Sequence, residues 1–294
     1  SGFACAIPAI MAARSIESRR DRLVTILVTP LMTCSARLPV FVLVIGALFA
    51  GTAPVLGFFS LGGLMLFAMY VLSVIAAIAS AFVLKRTILS SPTPPLVLEL
   101  PPYRLPRLQD VLRRVASRCW VFVKDAGSII LAITIVLWAM TYFPRPDDAS
   151  PGSTAVEQSF AGQIGHAIEP IIEPLGYDWR IGVGLLASFA AREVFVSTMA
   201  LVFDRDTDDA EDPGLRAALR AAKDSDGNPL YTPLVGLSIM IFFLFAAQCM
   251  STIAVIRRET QSWRWPLFAL VYMNVLAYVS ALIVYQGGRA LGWG

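Results

Sequence analysis

Thr29-Pro30-Leu31-Met32-Thr33-Cys34-Ser35-Ala36-Arg37-Leu38-Pro39 lies in the middle of residues 23–49, a segment whose only charge is Arg37. As one helix that segment would run roughly 40 Å at 1.5 Å per residue, longer than the ~30 Å hydrocarbon core of a bilayer. A proline in a helix interior removes one backbone hydrogen bond and clashes with the preceding turn. Pro30 and Pro39 therefore predict a break around the small polar stretch from Thr33 to Arg37. A backbone unwound at mid-membrane is tolerated only where it lines a cavity or is buried in protein, because each unsatisfied amide in hydrocarbon costs several kcal/mol. The segment is expected to be a membrane helix that opens onto a site.

The rest of the 294 residues agrees with a lipid solvent: 56% are hydrophobic and 15% charged, with a mean hydropathy of +0.67. The apolar residues cluster in blocks at 55–84, 126–143, 181–203, 234–256 and 265–286, and only the block at 181–203 carries charge, Arg192 and Glu193 at its centre. This excludes an ordinary soluble enzyme, a disordered chain and a disulfide scaffold. A net charge of +3 implies no polybasic surface, hence no nucleic-acid partner; membrane lipid is the implied one. Cys5, Cys34, Cys119 and Cys249 are far apart without C-x-x-C spacing, so neither a zinc ribbon nor a disulfide framework is signalled. The chain opens at Ser1 without an initiator Met or a signal peptide, and reads as a fragment of something longer.

Charge sets the topology. From Lys85 to Lys124 there are eight basic residues against Glu99 and Asp110, so this loop is expected on the cytoplasmic side. Its first part, residues 90–106, is proline-punctuated and extended. In its second part Leu108, Val111, Leu112, Val115, Cys119 and Trp120 recur at helical spacing opposite Arg113, Arg114 and Arg118, predicting an amphipathic helix on the inner membrane surface with Cys119 in its apolar stripe. Residues 144–180 hold six acidic and two basic residues and are expected outside; His166, the only histidine, lies there at helical spacing from Glu169 and Glu173. Arg257, Arg258 and Arg264 favour a cytoplasmic turn, which requires residues 181–203 to be a re-entrant hairpin folded about Phe189 to Glu193 rather than a full span. The loop that follows, 204–233, has four Lys or Arg of its own and a short helix at 215–223, so the count alone does not fix the parity.

Two segments echo each other. The stretch Gly2 to Ala12, with Gly2-Phe3-Ala4-Cys5 at its start, parallels Ser188 to Ala200, with Ser188-Phe189-Ala190-Ala191 at its start, and each is followed by a long apolar segment with a cysteine and hydroxyls in its middle: Thr33-Cys34-Ser35, then Gln248-Cys249-Met250-Ser251-Thr252. A weak internal repeat of this kind marks transporters whose broken helices face each other near the midplane. The fold class expected is an all-α integral membrane protein, an inverted-repeat helical bundle with broken or re-entrant helices. Three parts are drawn: a first repeat at 1–84, a basic loop with an amphipathic helix at 85–124, and a second repeat with its preceding span and acidic loop at 125–294. Thiols at the breaks with Glu193 and Met250 nearby form a mixed soft and hard ligand set that suits a borderline first-row divalent ion better than Mg²⁺ or Ca²⁺. An ionisable residue inside the membrane is a functional candidate by default, which singles out Glu193; the alternative is a local pair with Arg192. Arg37 can be a snorkelling or carbonyl-bonding residue, and Met11 and Met199 are possible thioether ligands that packing explains equally well.

These residues resemble the ferrous iron transport protein B family. The stretch Gly2 to Ala12, Glu17-Ser18-Arg19-Arg20-Asp21-Arg22-Leu23 and Cys34-Ser35-Ala36-Arg37-Leu38-Pro39-Val40 are similar to its first Gate region. Glu99-Leu100-Pro101-Pro102-Tyr103 with Leu105-Pro106 is similar to its middle loop, and Ala191-Arg192-Glu193-Val194, Cys249-Met250-Ser251-Thr252-Ile253 and Arg257-Arg258-Glu259 to its second Gate. The resemblance implies a multi-pass protein of the bacterial inner membrane that imports Fe²⁺, with two Gate repeats related to those of nucleoside transporters. It matches the family's Gate cysteines to Cys5, Cys34 and Cys249, while Ala6 stands where the family usually has Asn. It also implies an upstream GTPase domain with its GTP and Mg²⁺, small cytoplasmic accessory Feo proteins as partners, and a homo-oligomer. No G-x-x-x-x-G-K-[ST] occurs in these residues, so the chain itself is expected to be a permease and not an enzyme.

The expected translocation residues are thus Cys5, Cys34, Cys249, Glu193 and Met250, with Ser35, Ser251 and Thr252 lining the path. A permease for an organic solute such as a nucleoside is the competing reading; it needs polar side chains converging on the breaks, and Gln248, Ser251, Thr252 and Ser188 are those on offer. A membrane anchor for a GTPase is the third, and it would need neither Glu193 nor paired breaks.

Overall fold

The computed structural model describes residues 2–49, 60–88, 107–144, 156–205, 207–223, 227–247 and 249–293. Gly57 at the start of the second apolar block, the 90–106 loop, the 145–155 part of the acidic loop and Gln248 lie outside the described residues.

Among the described residues the regular elements are helices, with one isolated bridge between Lys223 and Pro229. The first set is α1 (Ala6–Ala12), the half-spans α2 (Arg19–Val28) and α3 (Leu38–Leu48), and the unbroken α4 (Leu61–Thr87). Then come α5 (Leu108–Phe122), α6 (Ser128–Tyr142) and α7 (Phe160–Ile172). The second set is the hairpin α8 (Trp179–Ser188) and α9 (Val194–Val202), α10 (Pro213–Ala221) in the following loop, the half-spans α11 (Pro233–Phe245) and α12 (Met250–Thr260), and the unbroken α13 (Arg264–Ala290). Among the described residues four stretches are long and apolar enough to cross a bilayer: Arg19–Leu48, Leu61–Thr87, Pro233–Thr260 and Arg264–Ala290. The protein is a multi-pass, all-α membrane protein with two broken spans.

The two sets are packed alike and upside down. In each, the first half-span lies against the unbroken span, α2 on α4 and α11 on α13. Each hairpin arm packs on the second half-span of the other set, α1 on α12 and α9 on α3. Small residues line the packed face of α13, where Ala269, Ala277 and Ala281 are fully buried, and Leu267, Val271, Val275, Val279 and Ile283 lie exposed every four residues along another. The exposed stripe suits contact with lipid chains.

Ion pairs show which ends coincide. Arg14, just past α1, makes a two-pronged salt bridge to Glu259 at the end of α12, with Nε 2.7 Å and Nη2 2.5 Å from the carboxylate. Lys85 at the end of α4 is 3.2 Å from Asp21 at the start of α2. The basic residues Arg19, Arg22, Arg257 and Arg258 thus share one end with Lys85 and Arg86, the end for which the positive-inside bias sets the expectation of a cytoplasmic side. The hairpin at 181–203 is present, with its bend at Phe189 to Glu193; its arms of ten and nine residues each cover roughly 15 Å, half a bilayer.

The 204–233 loop was ambiguous by charge for a reason the fold supplies. Two of its four basic residues are structural: Arg216 Nη2 donates to Val42 O at 3.5 Å and Arg220 Nη2 to Gly46 O at 2.7 Å, while Arg220 Nε donates to Ala47 O. Arg220 caps C-terminal carbonyls of α3 and Arg216 ties the loop to the middle of the same helix, so neither says which side of the membrane the loop occupies. The amphipathic helix and the third span also differ from expectation. α5 continues into α6 through one π turn, Val123–Gly127, because no proline interrupts residues 107–143. The stripe Leu108, Val111, Leu112, Val115 and Trp120 is exposed on it.

Asp208 and Gly287 lie at the end opposite Arg258, so Asp208→Cys and Gly287→Cys in the full-length protein are expected to react with a membrane-impermeant maleimide on intact cells, above the parent's labelling. Arg258→Cys should react only after the cells are opened; labelling of Asp208→Cys and Gly287→Cys from opposite sides would exclude the hairpin. Gly184 lets α8 approach α9, since a Cβ there would stand 2.7 Å from the Phe195 ring and 2.8 Å from the Met199 methyl. Gly184→Val is expected to destabilise the protein by about 1–3 kcal/mol, read as a lower Tm in detergent, while Gly287→Ala, with nothing within 4 Å, leaves it unchanged.

Candidate functional site

Six helices begin on a Ser, Thr or Asp whose side chain accepts a first-turn N–H: Ser18, Ser60, Ser159, Asp178, Asp212 and Thr232. Of the helical starts without such a cap, three carry a thiol. Cys5 precedes α1, Cys34 precedes the 3-10 turn Ser35–Arg37 that leads into α3, and Cys249 precedes α12, each on extended backbone. A thiol caps poorly, and replacing a good cap costs about 0.5–2 kcal/mol. The three thiols are therefore not explained by local helix stability.

They meet at one place. A cavity of about 240 Å³ lies where the tip of the first arm, both breaks and the second hairpin's tip converge, and Cys5, Cys34 and Cys249, all half-buried, are on its wall. Ser35, Ser251 and Thr252 also line it, as does Glu193 from the hairpin bend. At about 30 Å³ per water the space holds roughly eight waters, enough for a divalent ion that keeps part of its hydration. Ser251 Oγ is buried there with no hydrogen-bond partner among the described residues. Among the described residues no three His, Cys, Asp or Glu side chains come close enough to hold one metal ion together. The arrangement suits successive stations rather than a closed tetrahedral cage.

Equivalent hydrogen bonds fasten each break to its own tip. Ser35, the residue after Cys34, donates its hydroxyl to Ala4 O at 2.9 Å; Met250, the residue after Cys249, donates its N–H to Phe189 O at 3.2 Å. Met250 is not brought to the cavity: its side chain is 40% exposed and its backbone serves the fastening. Met32, two residues before Cys34, stands on the wall instead, together with Met273 and Ile130 from α13 and α6. The break pattern could have pointed to Met32; nothing local marks Met273 or Ile130. Met199 is fully buried in the core and Met11 packs in the second cluster, which gives both a packing role.

Arg192 is not the partner of Glu193. Its Nη2 donates to Ala246 O at 2.8 Å and its Nη1 to Phe243 O at 3.5 Å, at the end of α11. Glu193 is exposed to the cavity and forms no ion pair among the described residues. Arg37 likewise bonds carbonyls, with Nη1 2.8 Å from Met32 O and 3.3 Å from Leu31 O, and Nη2 3.0 Å from Pro30 O. His166 lies elsewhere, with Nδ1 3.2 Å from Glu169 Oε2 and its ring 4.9 Å from that of Trp179. Cys119 is exposed on α5, away from the cavity wall.

Two family models match the chain. One, described as Nucleoside recognition and named Gate, covers residues 1–48 and 123–263; the other, described as Ferrous iron transport protein B C terminus, covers residues 66–118. The "Fe(2+) transporter FeoB" of Leptospira biflexa is 42% identical over 100% of this chain and 42% of its own length. That of Staphylococcus aureus is 37% identical over 98% of this chain and 40% of its own length. The "Fe(2+) transport protein A/Fe(2+) transporter FeoB fusion protein" of Porphyromonas gingivalis is 34% identical over 98% of this chain and 37% of its own length. The chain thus spans about two fifths of the length of the curated relatives it matches. No solved structure gives a significant match. With the Gate match across most of its length, the chain belongs to the Gate family, and the stretch between the two parts of that match is similar to the C terminus of ferrous iron transport protein B.

Proposed function

We propose that this chain is the permease part of an Fe²⁺ importer of the bacterial inner membrane. The observation that carries the reading is the convergence of Cys5, Cys34 and Cys249, from three separate segments, on one cavity between two broken spans. A borderline ion sheds part of its water to thiols, hydroxyls and the Glu193 carboxylate in turn, each contact weak enough to release it. Rocking of one repeat against the other, across the Arg14–Glu259 bridge at the cytoplasmic end, would alternate the access.

The finer parts of the reading belong with it. Residues 1–84 and 125–294 are the two repeats and 85–124 the link between them. The energy input comes from a GTPase domain of the full-length protein, which would hold the GTP and Mg²⁺. One relative's name joins it to Fe(2+) transport protein A, which supports an accessory Feo partner at the cytoplasmic face. A homo-oligomer is compatible with the exposed apolar stripes of α4 and α13. The nucleoside alternative is less well supported: the cavity wall offers thiols and a carboxylate, with Ser35, Ser251 and Thr252 as its hydroxyls, and no Asn or Gln among the described residues.

In the full-length protein, Cys34→Ser and Cys249→Ser are each expected to lower ⁵⁵Fe²⁺ uptake by roughly tenfold, equivalent to about 1.4 kcal/mol of lost ion interaction, and the double variant to lower it further. Excess Co²⁺ should compete with the wild type, and excess Mg²⁺ or uridine should not. Wild-type uptake in the double variant would remove the thiols from the path.

A further inference from the structure

Each broken span ends its first half in carbonyls without helical partners, and these carry about half a negative charge. In a membrane cavity such carbonyls are ready ligands for a hard cation. Here both sets are occupied by a guanidinium. Arg37 covers Pro30, Leu31 and Met32, of which Pro30 and Met32 are on the cavity wall; Arg192, itself on the wall, covers Phe243 and Ala246. Arg37 is 0% and Arg192 5% exposed, and neither meets a carboxylate among the described residues. Their countercharge is the helix end.

The two arginines come from different places. Arg37 lies three residues after Cys34 in its own break, whereas the residue three after Cys249 is Thr252, and the second break takes its guanidinium from the hairpin bend. Similar capping reached from non-equivalent positions indicates that the capping itself is what both sites require.

Resting on the reading of this cavity as an Fe²⁺ path, we propose that Arg37 and Arg192 are specificity-determining positioning residues: by filling the half-helix carbonyls they remove the hard-oxygen ligands and leave the ion to thiols, hydroxyls and Glu193. Arg192 has a second effect. It ties the hairpin bend to the end of α11, and so sets where the next residue, Glu193, stands. Uncovering the carbonyls returns oxygen ligands of the kind that hold Ca²⁺.

The test is ⁵⁵Fe²⁺ uptake by the full-length protein in reconstituted vesicles, with Ca²⁺ and Co²⁺ as competitors. Wild type is expected to resist Ca²⁺. Arg192→Gln should become about tenfold more sensitive to Ca²⁺ with little change toward Co²⁺, and Arg192→Lys, which keeps a charged donor, should stay within about threefold of wild type. Arg37→Gln probes the other break independently should the first variant fail to accumulate, and the same shift is expected. A folded Gln variant at either position whose Ca²⁺ sensitivity equals that of wild type overturns the proposal, whatever its uptake rate. If wild type itself moves no Fe²⁺, the transport reading fails; if it does and the Gln variants stay resistant to Ca²⁺, only the role of the arginines fails.

Discussion

A helix that stops inside a membrane leaves carbonyls facing a medium with no water to bond them, and the architecture of this protein depends on how those carbonyls are satisfied. Among the described residues guanidinium groups do it at three helix ends: Arg37 at the end of the α2 half-span, Arg192 at the end of α11, and Arg220 at the end of α3. Arginine is suited to the task because it is always charged and offers five donors in a fixed fork. Charge-assisted hydrogen bonds of this kind contribute about 1.5–3 kcal/mol each, enough to hold the breaks open without a carboxylate.

With the negative helix ends occupied, the chemistry of the cavity is left to the other side of each break. Cys5, Cys34 and Cys249 sit at helical starts that carry no side-chain cap, so stability is given up locally where the thiols face the cavity. The two repeats share this plan without sharing residues. Each fastens the residue after its cysteine to its own tip, one through the Ser35 hydroxyl and the other through the Met250 backbone. The first tip is uncharged, with Ala4 and Ala6 beside Cys5, and the second carries Arg192 and Glu193. An inverted pair of repeats thus produces an unequal site.

Much of the fold was legible because membrane physics writes directly into sequence. The apolar blocks and the Pro30 and Pro39 break predicted a broken span, and the hairpin at 181–203 is where the charge at Arg257 and Arg258 led it to be expected. The parity argument was weakened by Arg216 and Arg220, whose charge serves α3 and not the lipid surface. The join of α5 to α6 was missed because a π turn leaves no proline or glycine cluster to mark it. At the site, Cys5, Cys34, Cys249, Glu193, Ser35, Ser251 and Thr252 do converge, while Met250 does not: as the first residue of α12 it contributes its backbone, and neighbouring positions on a helix point about 100° apart.

The sequence by itself determined that the chain is helical and lives in lipid, where its spans break and which residues stand at the breaks, since hydrophobic length, proline and charge act locally. Only the tertiary structure decided which of those residues meet and what each arginine bonds. Arg192 turns from its neighbour Glu193 to carbonyls more than fifty residues away because α11 ends beside the hairpin bend. That choice is made by the packing of distant helices, and no spacing along the chain records it.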